Sequence, residues 1–332
     1  MTLEVLYLEV TNRCNSKCAT CVRTFDLAEP ERDVDLKDVR RLVASFPPGQ
    51  APRRVVLNGV GEALLHRNLI EIVTLFVATG AEVSFNTNAI TLSPEMALAL
   101  ARAGLAALRI SIDGAQRATY RSLRGVDALH RVAANTRAAT CALADAGLVR
   151  PAVSIWFTGT RGNVGELPAM VRLARDVGVS ELYFQRMVFR DGDRAFGAAR
   201  ADESLARGGL SAQEERAFQE AQQLASELGV TLRGSGNAEE PRAVLPRPNQ
   251  DRPWSACKRP FNSAYVTANG NVLPCCVAPF ATADYAAITL GNAREQGLPE
   301  IWRGARYEAF RARFGTDDPV DCCRRCGVDW SL

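Results

Sequence analysis

The sequence predicts an α/β fold of parallel strands joined by helical crossovers, and two observations carry that expectation. From residue 3 to about 235, short β-rich runs alternate with stretches of helical period, at intervals that suit a strand followed by its crossover. Several helical stretches also end at a glycine, namely Gly80, Gly104, Gly147 and Gly178, where a chain leaves a helix to begin the next strand. Units of this length build either a doubly wound sheet or a barrel, and periodicity alone does not choose.

Taken in order, the strand candidates are Val5–Val10, Arg54–Leu57, Glu82–Asn86, Ala107–Ile112, Ala152–Phe157 and Glu181–Arg186. Between them lie the helical patterns Asp35–Phe46, Leu69–Ala78, Ser93–Ala103, Ala128–Ala146 and Val164–Val177. Ser93-Pro94-Glu95 opens the third with a capping serine, a proline at the first helical position and an acid facing the positive end of the helix. Residues 190–210 are polar and glycine-rich and read as a loop. A helix over Ser211–Leu228 then leads into Val230-Thr231-Leu232-Arg233. Residues 234–253 hold four prolines and read as a linker, which divides the chain into an expected first domain over 1–235 and a second over 236–332. In the second, Asn262–Leu273 reads as a hairpin turning at Asn269-Gly270.

Composition narrows the function. The 40 basic and 37 acidic residues are spread along the 332-residue chain, with no basic block or aromatic-basic interleaving, which argues against nucleic acid as a partner. No apolar run has the length of a membrane span, and the N-terminus enters a strand without a basic region and cleavage site, so a cytoplasmic protein is expected. Nine of the ten cysteines fall into two groups, 14, 18, 21 and 257, 275, 276, 322, 323, 326. Thiols grouped in this way in a large reduced protein point to metal sites rather than disulfides. The tenth, Cys141, reads as a small core residue of a helix, and His66 and His130 as packing or surface residues.

Cys14, Cys18 and Cys21 sit on a loop leaving the first strand. Three thiolates so spaced can hold three irons of a cubane cluster and leave the fourth open; a zinc knuckle and a chance cluster of buried thiols are the competing readings. The C-x3-C-x2-C spacing, led in by Glu9-Val10-Thr11-Asn12-Arg13, resembles the signature of the radical S-adenosylmethionine (SAM) enzymes, whose open iron chelates the amino and carboxylate groups of SAM. Thr20 stands where the family commonly has an aromatic residue near the adenine. The resemblance implies a partial (β/α)6 TIM-like barrel with this 4Fe-4S cluster on the loop after strand one. It also implies that Gly59-Val60-Gly61-Glu62 is the element binding the methionyl amino group, with Ala63 in place of the usual proline. By the same resemblance Asn88 belongs to a Thr-Asn-Gly turn whose glycine is here Ala89, Ser111 and Asp113 adjoin bound SAM, and Arg124 pairs with its carboxylate. Asn163 and Glu166 suit the family pattern, and a helix N-terminus explains them equally well. Gln185 points to the opposite side of its strand from Phe184 and Arg186; Gln185 or Arg186 is a candidate contact to SAM or substrate.

The C-terminal group, Cys257-x12-Gly270-x4-Cys275 with Leu290-Gly291-Asn292, Ile301-Trp302 and Cys323-x2-Cys326, resembles the SPASM domain in its shortened twitch form. That implies one auxiliary 4Fe-4S cluster held by Cys257, Cys275, Cys323 and Cys326, with a structural zinc as the competing occupant. Cys276 and Cys322 are left over. They are either alternative ligands, a hydrogen-atom donor to a substrate radical, or thiols for a thiophilic substrate such as arsenite. The family resemblance implies reductive cleavage of SAM, fed by a flavodoxin- or ferredoxin-type donor, and radical chemistry on substrate. A small metabolite such as an aminocyclitol or sugar, dehydrogenated or epimerised, is expected because the first strand begins within five residues of Met1, without the peptide-recognition domain of many peptide-modifying relatives. Peptide maturation, transfer of a SAM fragment to arsenite and a non-enzymatic electron-carrier or assembly role are the alternatives.

Two cubane clusters fix a metal count. Anaerobic reconstitution should give about eight irons and eight sulfides per chain, falling to about four of each when Cys14, Cys18 and Cys21 are replaced by alanine. Four irons accompanied by stoichiometric zinc in the unaltered chain would contradict the two-cluster expectation.

Overall fold

The β-branched and leucine-rich runs become six parallel strands close to their expected limits: β1 (Val5–Leu8), β2 (Arg54–Val56), β3 (Glu82–Thr87), β4 (Ala107–Ser111), β5 (Ala152–Gly159) and β6 (Glu181–Arg186). These come from a computed structural model, which describes residues 1–187, 197–205, 209–234, 254, 257–282, 284–314, 316–324 and 326. Residues 190–196 and 206–208 of the glycine-rich loop, and 235–253 of the expected linker, lie outside the described residues.

A seventh parallel strand, β7 (Thr231–Gly234), follows the Ser211–Leu228 helix and pairs with β6. At the other side of β1, β8 (Ser263–Val266) lies parallel, and β9 (Asn271–Leu273) and β10 (Gly291–Asn292) continue antiparallel. The order β10-β9-β8-β1-β2-β3-β4-β5-β6-β7 makes one open ten-stranded sheet rather than a closed barrel. The hairpin β8–β9 turns where the sequence places it, with Gly270 at φ +89°, a conformation that favours glycine. Because β8 pairs with β1, the hairpin whose ends lead to Cys257 and Cys275 extends the barrel sheet.

The helices α1 (Val22–Phe25), α2 (Leu36–Ala44), α3 (Leu69–Val77), α4 (Pro94–Arg102), α5 (Arg117–Arg124), α6 (Leu129–Asp145), α7 (Leu167–Asp176) and α8 (Ala212–Leu228) fill the crossovers. Ser93 caps α4 by accepting from Met96 N at 3.2 Å, as its position before Pro94 suggests. Cys141 corrects an expectation. The buried face of α6 is Leu129, Val132, Thr136, Ala139 and Leu143, and residue 141 falls roughly 200° round the helix from residue 139, where it is exposed. Among the described residues no helix is long and apolar enough to cross a membrane.

Strand alternation separates two chemistries. Val83, Phe85, Leu108, Ile110, Ile155, Phe157, Leu182 and Phe184 are fully buried beneath the helices. The intervening Ser84, Asn86, Arg109, Ser111, Trp156, Thr158, Tyr183 and Gln185 line a cavity of about 540 Å³ on the inner face. The inner face therefore presents polar groups and aromatic rings to the cavity, while the outer face is buried beneath the helices.

One carboxyl ties the two ends of this sheet together. Glu9, just past β1, accepts from Val60 N at 2.8 Å, Tyr265 Oη at 2.7 Å and Ala268 N at 3.2 Å. Burial pushes its pKa from 4.5 to about 7, against the lowering effect of those three donors. Between these two values the unfolded chain releases a proton that the folded chain keeps, so this group's contribution to stability is full below pH 4.5 and falls as pH rises to about 7. Urea titrations of the native protein and Glu9→Gln at pH 5 and pH 8 should show the native protein losing about 3 kcal/mol relative to the variant over that interval. Parallel pH dependence in the two proteins would contradict this.

Candidate active site

The cysteine loop after β1 rests on the end of α5. Ala19 N donates to Leu123 O at 2.8 Å and Lys17 N to Arg124 O at 3.3 Å. The approach requires glycine at position 125, where φ is +65° and a Cβ would stand 2.1 Å from Lys17 O. The β2 loop is stacked on the same stretch: a Cβ at Gly61 would meet Thr11 O at 2.0 Å, and one at Gly59 the Glu9 side chain at 2.3 Å. Both glycines thus have a packing reason in contacts between the chain's own loops.

Glu62 follows with its backbone N donating to Arg13 O at 2.8 Å and its carboxylate buried. Oε1 accepts from Thr87 Oγ1 at 2.7 Å and Leu64 N at 3.0 Å, and Oε2 from Asn88 N at 2.7 Å. Burial raises its pKa, and these bonds oppose the rise. Asn88 reaches into the cysteine loop, where its Nδ2 donates to Asn15 Oδ1 at 2.6 Å and Ser16 Oγ at 3.3 Å. Ala89, in the glycine place of that turn, sits at φ +55°, strain of roughly 1–2 kcal/mol for an L-residue. Asn135 Nδ2 holds the turn by donating to Ala89 O and Ile90 O at 2.9 and 3.0 Å.

Asp113 and Arg124 come together as a buried pair, Arg124 Nη1 donating to Asp113 Oδ2 at 2.9 Å, while Asp113 Oδ1 accepts from Thr158 N at 2.9 Å. Arg124 Nε is buried with no hydrogen-bond acceptor among the described residues. Cys14, Cys18, Thr20, Cys21, Glu62, Asn88, Ser111, Asp113, Arg124 and Gln185 all line the one cavity. Asn163 and Glu166 do not. Asn163 Nδ2 donates to Asp113 O and Thr158 O, and Glu166 Oε2 accepts from Ala115 N and Gln116 N at the start of α5, so both stitch neighbouring loops. His66 is a packing residue, its Nε2 3.0 Å from Val34 O and its Nδ1 accepting from Asn68 N.

Burial raises the thiol pKa of Cys14 and Cys18 and pushes that of Cys21 up to about 12, with a neighbouring cysteine adding to the rise at Cys14 and Cys21 and the carboxylates of Asp113 and Glu62 adding to it at Cys18. A donor set of this kind is relieved by a cationic occupant, which deprotonates coordinating thiols. Among the described residues no three Cys, His, Asp or Glu side chains converge on one metal ion. A cubane makes no such demand, since each thiolate binds a different iron. Together with the orphaned Arg124 Nε, this donor set fits a cluster with an anionic ligand beside it.

In the C-terminal group, Cys257 is pushed up to about 11 by burial, and Cys323 is raised chiefly by its bond to Cys322 and then by burial. Cys275 is raised by burial and by the neighbouring Cys276, Cys257 and Cys326. The two leftover thiols part company. Cys322 is buried on a short helix, Asp321–Arg324, 3.7 Å from Cys323 Sγ, and does not line the cavity. Cys276 does, with Arg259 Nη1 donating to its sulfur at 3.0 Å and Tyr7 close by.

Residues 8–154 match the radical SAM superfamily, and residues 257–327 match SPASM, an iron-sulfur cluster-binding domain. The chain carries a radical SAM domain followed by a SPASM domain. This radical SAM enzyme is 26% identical to the AdoMet-dependent heme synthase of Methanosarcina barkeri, over 96% of its own length and 86% of the relative's. It is 32% identical to a probable GTP 3',8-cyclase of Saccharolobus islandicus over 182 residues, 54% of this chain and 56% of that one. In fold it is similar to Streptococcus suis SuiB bound to its precursor peptide SuiA (TM-score 0.69, 14% identity, 100% and 71% of the two chains). It is also similar to BtrN in complex with AdoMet and 2-DOIA (TM-score 0.51, 15% identity, 98% and 94%). Its cofactors are accordingly SAM and 4Fe-4S clusters.

Sequence reading of the radical SAM enzyme overlooked Tyr7, Arg109, Trp156 and Tyr183 inside the barrel. The signal was present in Leu108-Arg109-Ile110-Ser111 and Ile155-Trp156-Phe157-Thr158, where every second residue departs from the aliphatic run.

The loop-to-α5 contact yields a test. Gly125→Ala should unseat the cysteine loop, so that the reconstituted enzyme loses iron from Cys14, Cys18 and Cys21 and its SAM affinity while about four irons remain in the C-terminal set. Full iron content with unchanged SAM binding would show that the contact does not hold the loop.

Proposed function

We propose that this enzyme acts on a small polar metabolite, a sugar- or cyclitol-like molecule that it dehydrogenates or epimerises. The observation that carries the reading is the barrel cavity. At about 540 Å³ it lies within the ~300–1,000 Å³ range of small-molecule sites, and its lining is hydroxyl, amide and guanidinium groups set among aromatic rings. A solved relative fold, BtrN, holds AdoMet and 2-DOIA together.

In this reading Cys14, Cys18 and Cys21 hold the SAM-binding cluster, and Cys257, Cys275, Cys323 and Cys326 the auxiliary one, with residues 1–235 and 236–332 forming the two functional parts. When bound, the cluster and SAM supply a carbon-centred radical that abstracts hydrogen, with electrons from a flavodoxin- or ferredoxin-type donor. The residues of the chain bind and orient. Glu62, its carboxylate immobilised by Thr87, Leu64 and Asn88, accepts from the methionyl amino group. Arg124 offers its Nε to the methionyl carboxylate while Asp113 fixes the guanidinium plane. Asn88, Ser111 and Gln185 present polar side chains to the remainder of SAM, and the aromatic walls keep water from the reacting centre. Cys276, on the cavity wall, gives its thiol hydrogen to the substrate carbon when the outcome is epimerisation; the S–H bond breaks, a C–H bond forms, and the donor reduces the sulfur afterwards.

Reconstituted enzyme with SAM and dithionite should release 5'-deoxyadenosine, and a sugar or cyclitol substrate should raise that release. Cys276→Ala should abolish epimerised product without stopping 5'-deoxyadenosine formation. Stimulation by peptides alone, with every sugar and cyclitol silent, would overturn the reading.

A further inference from the structure

Arg109, in the middle of β4, places its guanidinium in the barrel cavity, 4.6 Å from the ring centroid of Trp156. Trp156 stacks in turn on Tyr183, with centroids 4.2 Å apart and planes at 22°, so three side chains from β4, β5 and β6 form one stack on the inner face. Burial lowers the pKa of Arg109. Among the described residues no carboxylate forms an ion pair or hydrogen bond with it. Of the acids lining the cavity among the described residues, Glu62 is hydrogen-bonded by Thr87 and Asn88, Asp113 is paired with Arg124, and Glu82 is solvent-exposed without an ion pair. Glu181, the other acid acting on Arg109, is paired with Arg233 at 3.2 Å.

A half-buried guanidinium with an aromatic ring on its face and no acceptor at its edge is costly unless a counterion arrives with the ligand. The stacked face fixes the plane and leaves the edge N–H groups to a bidentate acceptor. Arg259 adds positive charge to the same cavity. The group met here is distinct from the SAM carboxylate. Arg109 precedes Ser111 by two residues, roughly 7 Å along the strand, on the side away from the loop that carries Asp113.

We infer that the substrate is an anion, and that Arg109, braced by Trp156, binds its carboxylate or phosphate. This rests on the small-metabolite reading and narrows it to acidic or phosphorylated sugars and cyclitols. The two sources share the charge and the pair of acceptor oxygens and differ in the rest of the group.

Calorimetric titration of the anaerobically reconstituted holoenzyme, with SAM bound, separates the possibilities using glucuronate, glucose 6-phosphate and glucose. At least one charged probe should bind at least tenfold more tightly than glucose, with an affinity that falls as salt rises; the tighter of the two identifies carboxylate or phosphate. Arg109→Gln should weaken that probe by ~10–100-fold and leave SAM affinity within about twofold. Arg109→Lys should recover part of the loss, since the charge returns without the bidentate edge. Glucose binding as tightly as the charged probes, or charged probes unaffected by Arg109→Gln, would overturn the anion subsite and leave the small-metabolite reading standing. Silence of all three probes at any soluble concentration would overturn both. If Arg109→Gln loses SAM affinity, Arg109→Lys decides: SAM retained with weakened anion binding supports the subsite, and SAM lost in both variants overturns it.

Discussion

The buried carboxyl of Glu9 is the point on which the other parts of the site depend. Its two oxygens take donors from three separate pieces of chain, the β2 loop at Val60, β8 at Tyr265 and the hairpin turn at Ala268. Five residues later the cysteine loop begins. A single acceptor therefore sets the height of the β2 loop, which carries Glu62, against the strand that launches Cys14. It also joins the C-terminal hairpin to the barrel edge. A hydrophobe at this position would satisfy the burial and leave three donors without acceptors, each a loss of about 1–3 kcal/mol, so the packing here is specified by polar satisfaction rather than by volume.

The same logic extends around the cavity mouth. Glu62 joins the β2 loop to the β3 loop through Thr87 and Asn88, and Asn88 joins that turn to the cysteine loop through Asn15 and Ser16. Asp113 and Asn163 join the β4 and β5 loops. The loop ends of β1, β2 and β3 thus form a chain of hydrogen bonds, and those of β4 and β5 are tied to it where α5 meets the cysteine loop, although the sheet beneath them is open between β7 and β10. Such a chain fixes side-chain positions without a closed barrel, which is what a site on the carboxyl ends of parallel strands requires.

The six core strands and their crossover helices were legible in the sequence because each is long enough to show its period, and the hairpin was legible because Asn269-Gly270 marks its turn. The pairing of β8 with β1 was not, since register between strands some 250 residues apart leaves no local signal. The cysteine spacings named two thiol groups, and the order of motifs gathered Glu62, Ser111 and Arg124 around the first; all three line one cavity with it. Gly59 and Gly61 illustrate the limit of such reading. A glycine records that something approaches the backbone, and here what approaches is Glu9 and Thr11 of the same chain. Cys276 and Cys322, equivalent as spare thiols in the sequence, differ entirely in space.

The cavity is electrostatically divided. Near the cysteine loop the charged groups that line the cavity have partners within the protein: Glu62 has its three donors, Arg124 has Asp113, and Arg23 has Glu31 at 2.5 Å. Farther down the strands Arg109 is stacked on an indole and is paired with no carboxylate among the described residues. Pairing at the mouth makes that end rigid and nearly neutral before anything binds, as suits a cosubstrate carrying both an ammonium and a carboxylate. A cation in the interior that has no ion pair among the described residues does the opposite, leaving a field that favours an anion there. On the inference that the substrate is an anion, the two ends of the cavity suit ligands of different net charge, and charge orients a molecule bound between them.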